Sequence, residues 1–400
     1  MKIGDAPWRR LDGMAGLLET LGASDGQTRF VGGCVRDTLL GLGTNDVDLA
    51  TRLTPEEVLR RLKDAGTKAL PTGLAHGTVT ALLASGPVEI TTLRRDLSTD
   101  GRHATIAYTE DWKEDAARRD FTINALSADP SSGEVFDYFG GLADLEERRV
   151  RFIGDPLTRI AEDHLRILRF FRFHARFGAA EPDAPALEAC RARANDLMAL
   201  SRERIADELL KLLALSAPAG TVRLMLDNAI LKPVLPEIEP DAANALQRLV
   251  ERESSAGLAA DPVRRLAALL PPDRAIAADV GARLRLSNKK QKRLVSAAVR
   301  SHDDELAPHA LAYRIGAEEA ADRILIGAGD PHGAAALAHW QRPRLALSGG
   351  DLIAMGLAPG PVVARTLQAL EREWAASGFP DDPEQQQALA RRFVDQALRD

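Results

Sequence analysis

The chain has 400 residues, 45% of them hydrophobic and 28% charged, with a formal net charge of −6. That length gives room for about two to four domains, and the acidic balance excludes capture of nucleic acid by overall charge, so any such partner needs local basic patches. Two unaccompanied cysteines, Cys34 and Cys190, exclude a disulfide framework and a thiolate zinc site and predict a reducing, cytoplasmic setting; no apolar leader opens the sequence, and no apolar run reaches the roughly 18 residues of a membrane helix.

Residues 1–28 read as a helical lead-in, with Leu11, Met14, Leu17, Leu18 and Leu21 at helical spacing. RFVGG (29–33) reads as a strand ending in glycines, VRDTLLGL (35–42) as a short helix and NDVDLAT (45–51) as a strand. A helix follows with Thr54 as N-cap, Pro55 in its first position and Glu57 at the third. GTVTALLA (77–84) and PVEITTLR (87–94) flank Ser85-Gly86-Pro87 and read as a hairpin. FTINAL (121–126) reads as an apolar helix after a charged turn. From about residue 142 the pattern is helical and rich in Ala, Leu and Arg, divided by breakers such as Gly178, Pro233, Pro236 and Pro271-Pro272. The fold class predicted is α+β: a small α/β head with a mixed sheet, then a long all-α region.

The head holds the chemistry. On a strand, Asp46 and Asp48 would project to one face, and two close carboxylates repel unless a cation lies between them. Oxygen-only ligands favour Mg²⁺. Glu89, between Val88 and Ile90, is a third acid turned away from the core, and three acids on two strands could hold two metals about 4 Å apart for phosphoryl or nucleotidyl transfer. An isolated Asp-x-Asp is as readily a solvated turn. Gly32 and Gly33 let backbone N–H groups approach a phosphate, and Arg36, one turn into the following helix, reaches the same anion or else pairs with Asp37 or Asp46.

The combined run GGCVRDTLLGLGTNDVDLAT (32–51) resembles the signature of the family of CCA-adding tRNA nucleotidyltransferases and bacterial poly(A) polymerases, within the polymerase-beta nucleotidyltransferase superfamily. GLAHGTVT (73–80), VEITTLRRD (88–96), RRDFTINAL (118–126), FDYFGGLADL (136–145), RIAEDHLRILRFFRF (159–173) and ERIADELLKLL (203–213) resemble its further motifs in the same order. The resemblance implies a catalytic head over 1–140, a helical nucleotide-recognition neck over 141–215 and a tRNA-binding body and tail over 216–400. It implies transfer of CMP and AMP from CTP and ATP to a tRNA 3′ end, with Mg²⁺ on Asp46 and Asp48 and Glu89 completing the site. Arg119, with Asp120 and Asn124, falls in the block implied to meet sugar and phosphates.

Within AEDHLRILRFFRF, Asp163 and Arg166 stand at i and i+3 and read as neighbours on one helix face, with Arg169 and Arg172 continuing the row. A salt-bridged solvent face would look the same, but the resemblance assigns Asp163 and Arg166 to base selection. The chemistry suits them. Cytosine and adenine each place a ring acceptor beside an exocyclic amine, which one guanidinium and one carboxylate satisfy; uracil and guanine present the reverse order.

Residues 93–115 read as a polar loop, and the resemblance implies a flexible loop that helps switch from C to A addition. The stretch 283–302 carries seven Lys and Arg and no acid, including Arg283, Arg285, Lys289, Lys290, Lys292 and Arg293, and reads either as a phosphate-binding stripe or as a solvated basic helix. His76 and His103 lack metal-ligand spacing. Alternatives within the family are a poly(A) polymerase and a CC-only or A-only enzyme; outside it stand a non-catalytic RNA-binding relative and a signalling-nucleotide transferase. Oligomeric state is left open.

Overall fold

The computed structural model describes residues 1–44, 46–99, 104–301, 304 and 307–399. Asn45, His103 and His302, which fall in segments singled out above, lie outside the described residues. The chain forms two compact units, one of Met1–Glu208 with Leu224–Val234, the other of Leu209–Arg223 with the residues from Leu235 onward.

The first unit is built on nine strands: β1 (Thr28–Val31), β2 (Asp48–Thr51), β3 (Ala69–Gly73), β4 (Thr78–Leu83), β5 (Gly86–Thr92), β6 (Arg94–Thr99), β7 (Ala104–Tyr108), β8 (Ser127–Ala128) and β9 (Val135–Phe136). Seven form one sheet in the order β3-β4-β5-β2-β1-β8-β9, and β6 pairs with β7 separately. The sheet is mixed, because β2 runs parallel to β5 while its other neighbours are antiparallel. The β4–β5 hairpin alternates as expected: Val88 and Ile90 are buried and Glu89 is exposed.

The helices of this unit are α1 (Met14–Thr20), α2 (Gly33–Leu39), α3 (Pro55–Asp64), α4 (Trp112–Ala117), α5 (Gly141–Glu146), α6 (Pro156–Glu162), α7 (Arg166–Phe177), α8 (Ala184–Ala192) and the start of α9 (Arg202–Leu213). Thr54 caps α3 by accepting from the Glu57 N–H, as its sequence predicts. Helix α7 is seated by phenylalanines: Phe121 lies 5.3 Å from Phe173 and 4.9 Å from Phe152 between ring centres, and Phe170 and Phe171 are wholly buried. Offset aromatic contacts at these separations add to the burial term.

Four local expectations are corrected. The strand begins at Asp48, not Asn45, and Asp46 precedes it on exposed chain. FTINAL is a single 3₁₀ turn (Thr122–Asn124) followed by β8, because pairing of Ala128 with Phe30 captures its end for the sheet. Asp163 and Arg166 do not share a helix. Asp163 is extended (φ −154°, ψ 106°) after α6, and its Oδ1 accepts from the Leu165 N–H, a local bond that competes with helix continuation. Residues 93–115 hold β6, β7 and the first turn of α4, and only 100–103 fall outside the described residues.

The second unit is helical and holds the start of α10 (Ala219–Asp227), whose end from Leu224 belongs to the first unit, and then α11 (Ala242–Ser255), α12 (Pro262–Leu269), α13 (Arg274–Arg283), α14 (Asn288–Ala298), α15 (Pro308–Ile315) and α16 (Ala317–Ile326). Its basic stripe is largely neutralised from elsewhere in the sequence. Arg283 forks onto Glu237 at 2.6 and 2.7 Å, Lys289 meets Glu318 at 2.8 Å and Lys292 meets Glu319 at 3.2 Å. Arg293 is not a surface residue at all. It is buried, and bonds Asp322 at 2.8 Å, Asp261 at 3.0 Å and Glu318 at 2.9 Å, while Asp322 also takes Arg264. Replacing Arg293 with alanine leaves Asp322 short of a buried partner and is expected to cost about 3 kcal/mol, read as a lower melting temperature. Lys290→Ala, on the exposed side of the same helix, should leave melting unchanged.

Candidate active site

Strand register assembles the acids. Asp48 on β2 stands opposite Glu89 on β5 and opposite Val31 on β1, so the Gly32–Gly33 turn emerges beside it. Gly32 has φ +69°, and a Cβ there would lie 2.9 Å from Arg119 Nη1. The positive φ favours glycine, and its absence of a side chain lets the Arg119 guanidinium lie over the turn.

A cavity of about 620 Å³ opens at this point. Its wall includes Asp46 and Asp48, Gly32, Gly33 and Arg36, Arg119, Asp120 and Asn124, and Asp163, Arg166, Arg169 and Arg172. Every predicted head and neck residue is thus brought together there except Glu89, which is exposed beside Asp48 and outside the wall. Asp37, Phe173 and Arg176 also line it and were not predicted. Arg176 was detectable in the sequence, standing seven residues beyond Arg169 on the same helical face.

The acids strain one another. Burial raises the Asp48 carboxyl above the usual carboxylate range, Glu89 and Asp46 raise it further, and Arg119 opposes them. Among the described residues no three His, Cys, Asp or Glu side chains converge into a ready-made metal cage. The donor set nevertheless fits a hard divalent cation: oxygen atoms only, from carboxylates whose repulsion a cation would relieve.

Behind the acids runs an alternating chain of charges. Arg36 donates to Asp37 at 2.8 Å and contacts Asn124 Oδ1; Asn124 donates to Asp120 at 2.9 Å; Arg169 donates to Asp120 at 2.7 Å; Arg172 donates to Glu208 at 2.6 Å. Burial pushes the Asp120 carboxyl up, but Arg169, Asn124 and its own Phe121 N–H outweigh that and hold it low. Asp120 and Asn124 therefore hold arginines in place, with the Asp120 oxygens occupied internally. A carboxyl held low stabilises the fold above its ordinary pKa, and that contribution is lost as pH falls through the depressed value. Asp120→Ala removes the nearer partner of Arg169, leaving it Glu208 at 3.7 Å, and is expected to cost about 3 kcal/mol at neutral pH, with the deficit narrowing in acid; a pH series of thermal melts checks both.

Asp163 and Arg166 lie at the α6–α7 break. Asp163 Oδ2 accepts from Arg204 at 2.7 Å. Arg166 donates to the Arg159 carbonyl at 2.8 Å and the Arg118 carbonyl at 3.2 Å, and contacts Glu162. Both side chains are thereby held in place, although they stand on separate elements.

Carboxylates abreast on adjacent strands, Asp48 and Glu89, beside a two-glycine turn and a row of guanidiniums, define a nucleotidyltransferase head. Residues 28–151 match the poly A polymerase head domain, and residues 182–242 match the probable RNA and SrmB-binding site of polymerase A. The mitochondrial CCA tRNA nucleotidyltransferase 1 of Mus musculus is 34% identical over 95% of this chain and 90% of its own length. A CCA-adding enzyme of Limosilactobacillus fermentum is 33% identical over 88% and 90%. The crystal structure of the Bacillus stearothermophilus CCA-adding enzyme in complex with CTP shares the fold, with a TM-score of 0.72, 24% identity and coverage of 96% of this chain and 98% of that one. The chain belongs to the family of CCA-adding tRNA nucleotidyltransferases and poly(A) polymerases. Among the described residues no helix is long and apolar enough to cross a membrane.

Proposed function

We infer that the protein adds CCA to tRNA 3′ ends from CTP and ATP without a nucleic-acid template, releasing pyrophosphate. The observation that carries this reading is a single cavity that joins Asp46 and Asp48 to Asp163 and Arg166, in a chain whose near full-length relatives are CCA-adding enzymes.

Arg166 donates to the ring acceptor of cytosine or adenine, and Asp163 accepts from the amine. Uracil and guanine leave both groups unpaired, and buried polar groups left unpaired cost heavily. Arg119, over Gly32, and Arg36 hold the phosphates and sugar. The tRNA 3′-hydroxyl is then aligned with the α-phosphate beside Asp48, so the reaction gains from positioning and from charge already in place. Asp46 and Asp48, with Glu89 alongside, would hold Mg²⁺, which would supply Lewis acidity toward that hydroxyl and offset charge on the leaving pyrophosphate.

Residues 1–140 form the catalytic head in this reading, 141–215 the nucleotide-selecting neck, and 216–400 the body and tail that bear on tRNA. Of the basic stripe, exposed Lys290 is a candidate for phosphate contact. The buried free thiols of Cys34 and Cys190 suit the reducing cytoplasm.

The family model also favours a second reading, a poly(A) polymerase with the same head. One gel separates them. Incubated with Mg²⁺ and tRNA lacking its terminal CCA, the protein should stop at CC with CTP alone and at CCA with both nucleotides. A long ladder with ATP alone makes it a poly(A) polymerase, and no extension in any lane defeats both readings.

A further inference from the structure

Helix α7 carries more cations than base selection uses. Its N-terminal end bears Arg166, and its last turn bears Arg176, about 15 Å further along the axis at 1.5 Å per residue. Both line the same cavity. That span is on the order of an extended nucleoside triphosphate.

At the far end Arg176 and Arg36 come together. The Arg36 guanidinium lies 4.2 Å and the Arg176 guanidinium 4.9 Å from the centre of the Phe177 ring. They share one carboxylate: Arg36 holds Asp37 Oδ1 through Nε at 2.8 Å and Nη2 at 2.6 Å, and Arg176 Nη2 holds Asp37 Oδ2 at 2.9 Å. Two cations thus flank one anion. The remaining nitrogens of Arg176, Nε and Nη1, make no hydrogen bond among the described residues, and its side chain is 38% exposed where Arg36 is buried. Burial lowers the Arg36 guanidinium, Asp37 opposes that, and Arg176 lowers it further.

We propose that Arg176 holds the terminal phosphates of the incoming nucleoside triphosphate, at the end of the cavity opposite the base-selecting pair. A residue serving only to pin α7 to α2 would present its fork to Asp37; Arg176 spends one nitrogen there and leaves two facing outward. An arginine at a helix C-terminus also complements the helix dipole, but that role requires no cavity and no second guanidinium beside it. An anion beside Arg176 takes up its unused donors, with charge-assisted bonds stronger than neutral ones. No base contact is involved, so CTP and ATP are held alike.

The proposal rests on the reading of the cavity as a nucleotide site, and the test keeps the two apart. Binding of CTP, ATP and CMP, without acceptor RNA and at fixed Mg²⁺, is measured by calorimetry for the wild type and for Arg176→Gln and Arg176→Ala. Glutamine keeps a donor for Asp37 and guards against loss of folding. Both variants should weaken CTP and ATP by about tenfold, a difference of about 1.4 kcal/mol, and leave CMP unchanged; inorganic pyrophosphate should compete less well. Unchanged CTP affinity, or CMP weakened as much as CTP, overturns the proposal. If the wild type fails to prefer CTP and ATP over UTP and GTP, the CCA reading falls instead. The ratio of triphosphate to monophosphate affinity still decides the role of Arg176 on whichever base binds.

Discussion

Asparagine in place of Asp48 is expected to abolish nucleotide addition, by at least about a thousandfold, and to make the folded protein more stable. The two effects share one cause. Asp48 sits half-buried on β2 with Glu89 abreast on the parallel strand and Asp46 two residues before it. Burial and those two carboxylates raise its carboxyl, with only Arg119 opposing. A carboxyl whose folded-state pKa lies above its unfolded value destabilises the fold while ionised. That penalty is complete above the folded pKa and disappears as pH falls through it towards the unfolded value. The neutral amide removes the penalty, so at neutral pH and with a chelator present Asp48→Asn should melt a few degrees above the wild type, and the gap should close in acid. Added Mg²⁺ should raise the wild-type melting temperature and barely move the variant, because a ligand that binds only the folded state stabilises it by mass action. Retained turnover would falsify the catalytic assignment; lower stability would mean that Asp48 is held by structure rather than strained for chemistry.

The pattern of what could be read in advance follows the range of the interactions involved. The Thr54 cap, the β4–β5 hairpin and the glycine turn depend on neighbours within a few residues, and they stand where the sequence predicts them. The pairing of Asp48 with Glu89 depends on a register between strands about forty residues apart, which alternation alone does not set. The residue types implied a shared acidic site, whereas the parallel register came only with the fold. At Asp163 the periodic pattern ran on, but a side-chain bond to the Leu165 N–H broke the helix. The basic stripe misleads for the opposite reason: nothing within 283–302 is acidic, yet Glu237 arrives from a turn and Glu318, Glu319 and Asp322 from α16. Local charge patterning therefore marked Arg293 as surface when it is core. Arg176 lies beyond Phe173, where the motif resemblance ends, so only the continued helical face points to it.

Removal of the Asp163 carboxylate should cost selectivity and leave the fold in place. Asp163 lies at the break between α6 and α7, partly exposed, with Arg204 on one oxygen and the Leu165 N–H on the other. Alanine there gives up a local bond and one partly exposed ion pair, each worth little to stability. Against nucleotides the loss is large. Cytosine and adenine lose the acceptor for their amine, and Arg166 alone still reads the ring nitrogen, so kcat/KM for CTP and ATP should each fall by about a hundredfold. UTP and GTP lose a repulsive contact, their carbonyl against the carboxylate, and should fall much less or rise. The preference for CTP over UTP should therefore shrink from both sides. Arg166→Ala should act less cleanly, because the Arg118 and Arg159 carbonyls lose their donor and the cavity wall relaxes. Single-nucleotide incorporation with each of the four triphosphates, on tRNA ending before its first C, reads the ratios directly. A uniform drop for all four nucleotides would make Asp163 a support for the cavity, and selection would then lie with Arg166 and its carbonyl partners alone.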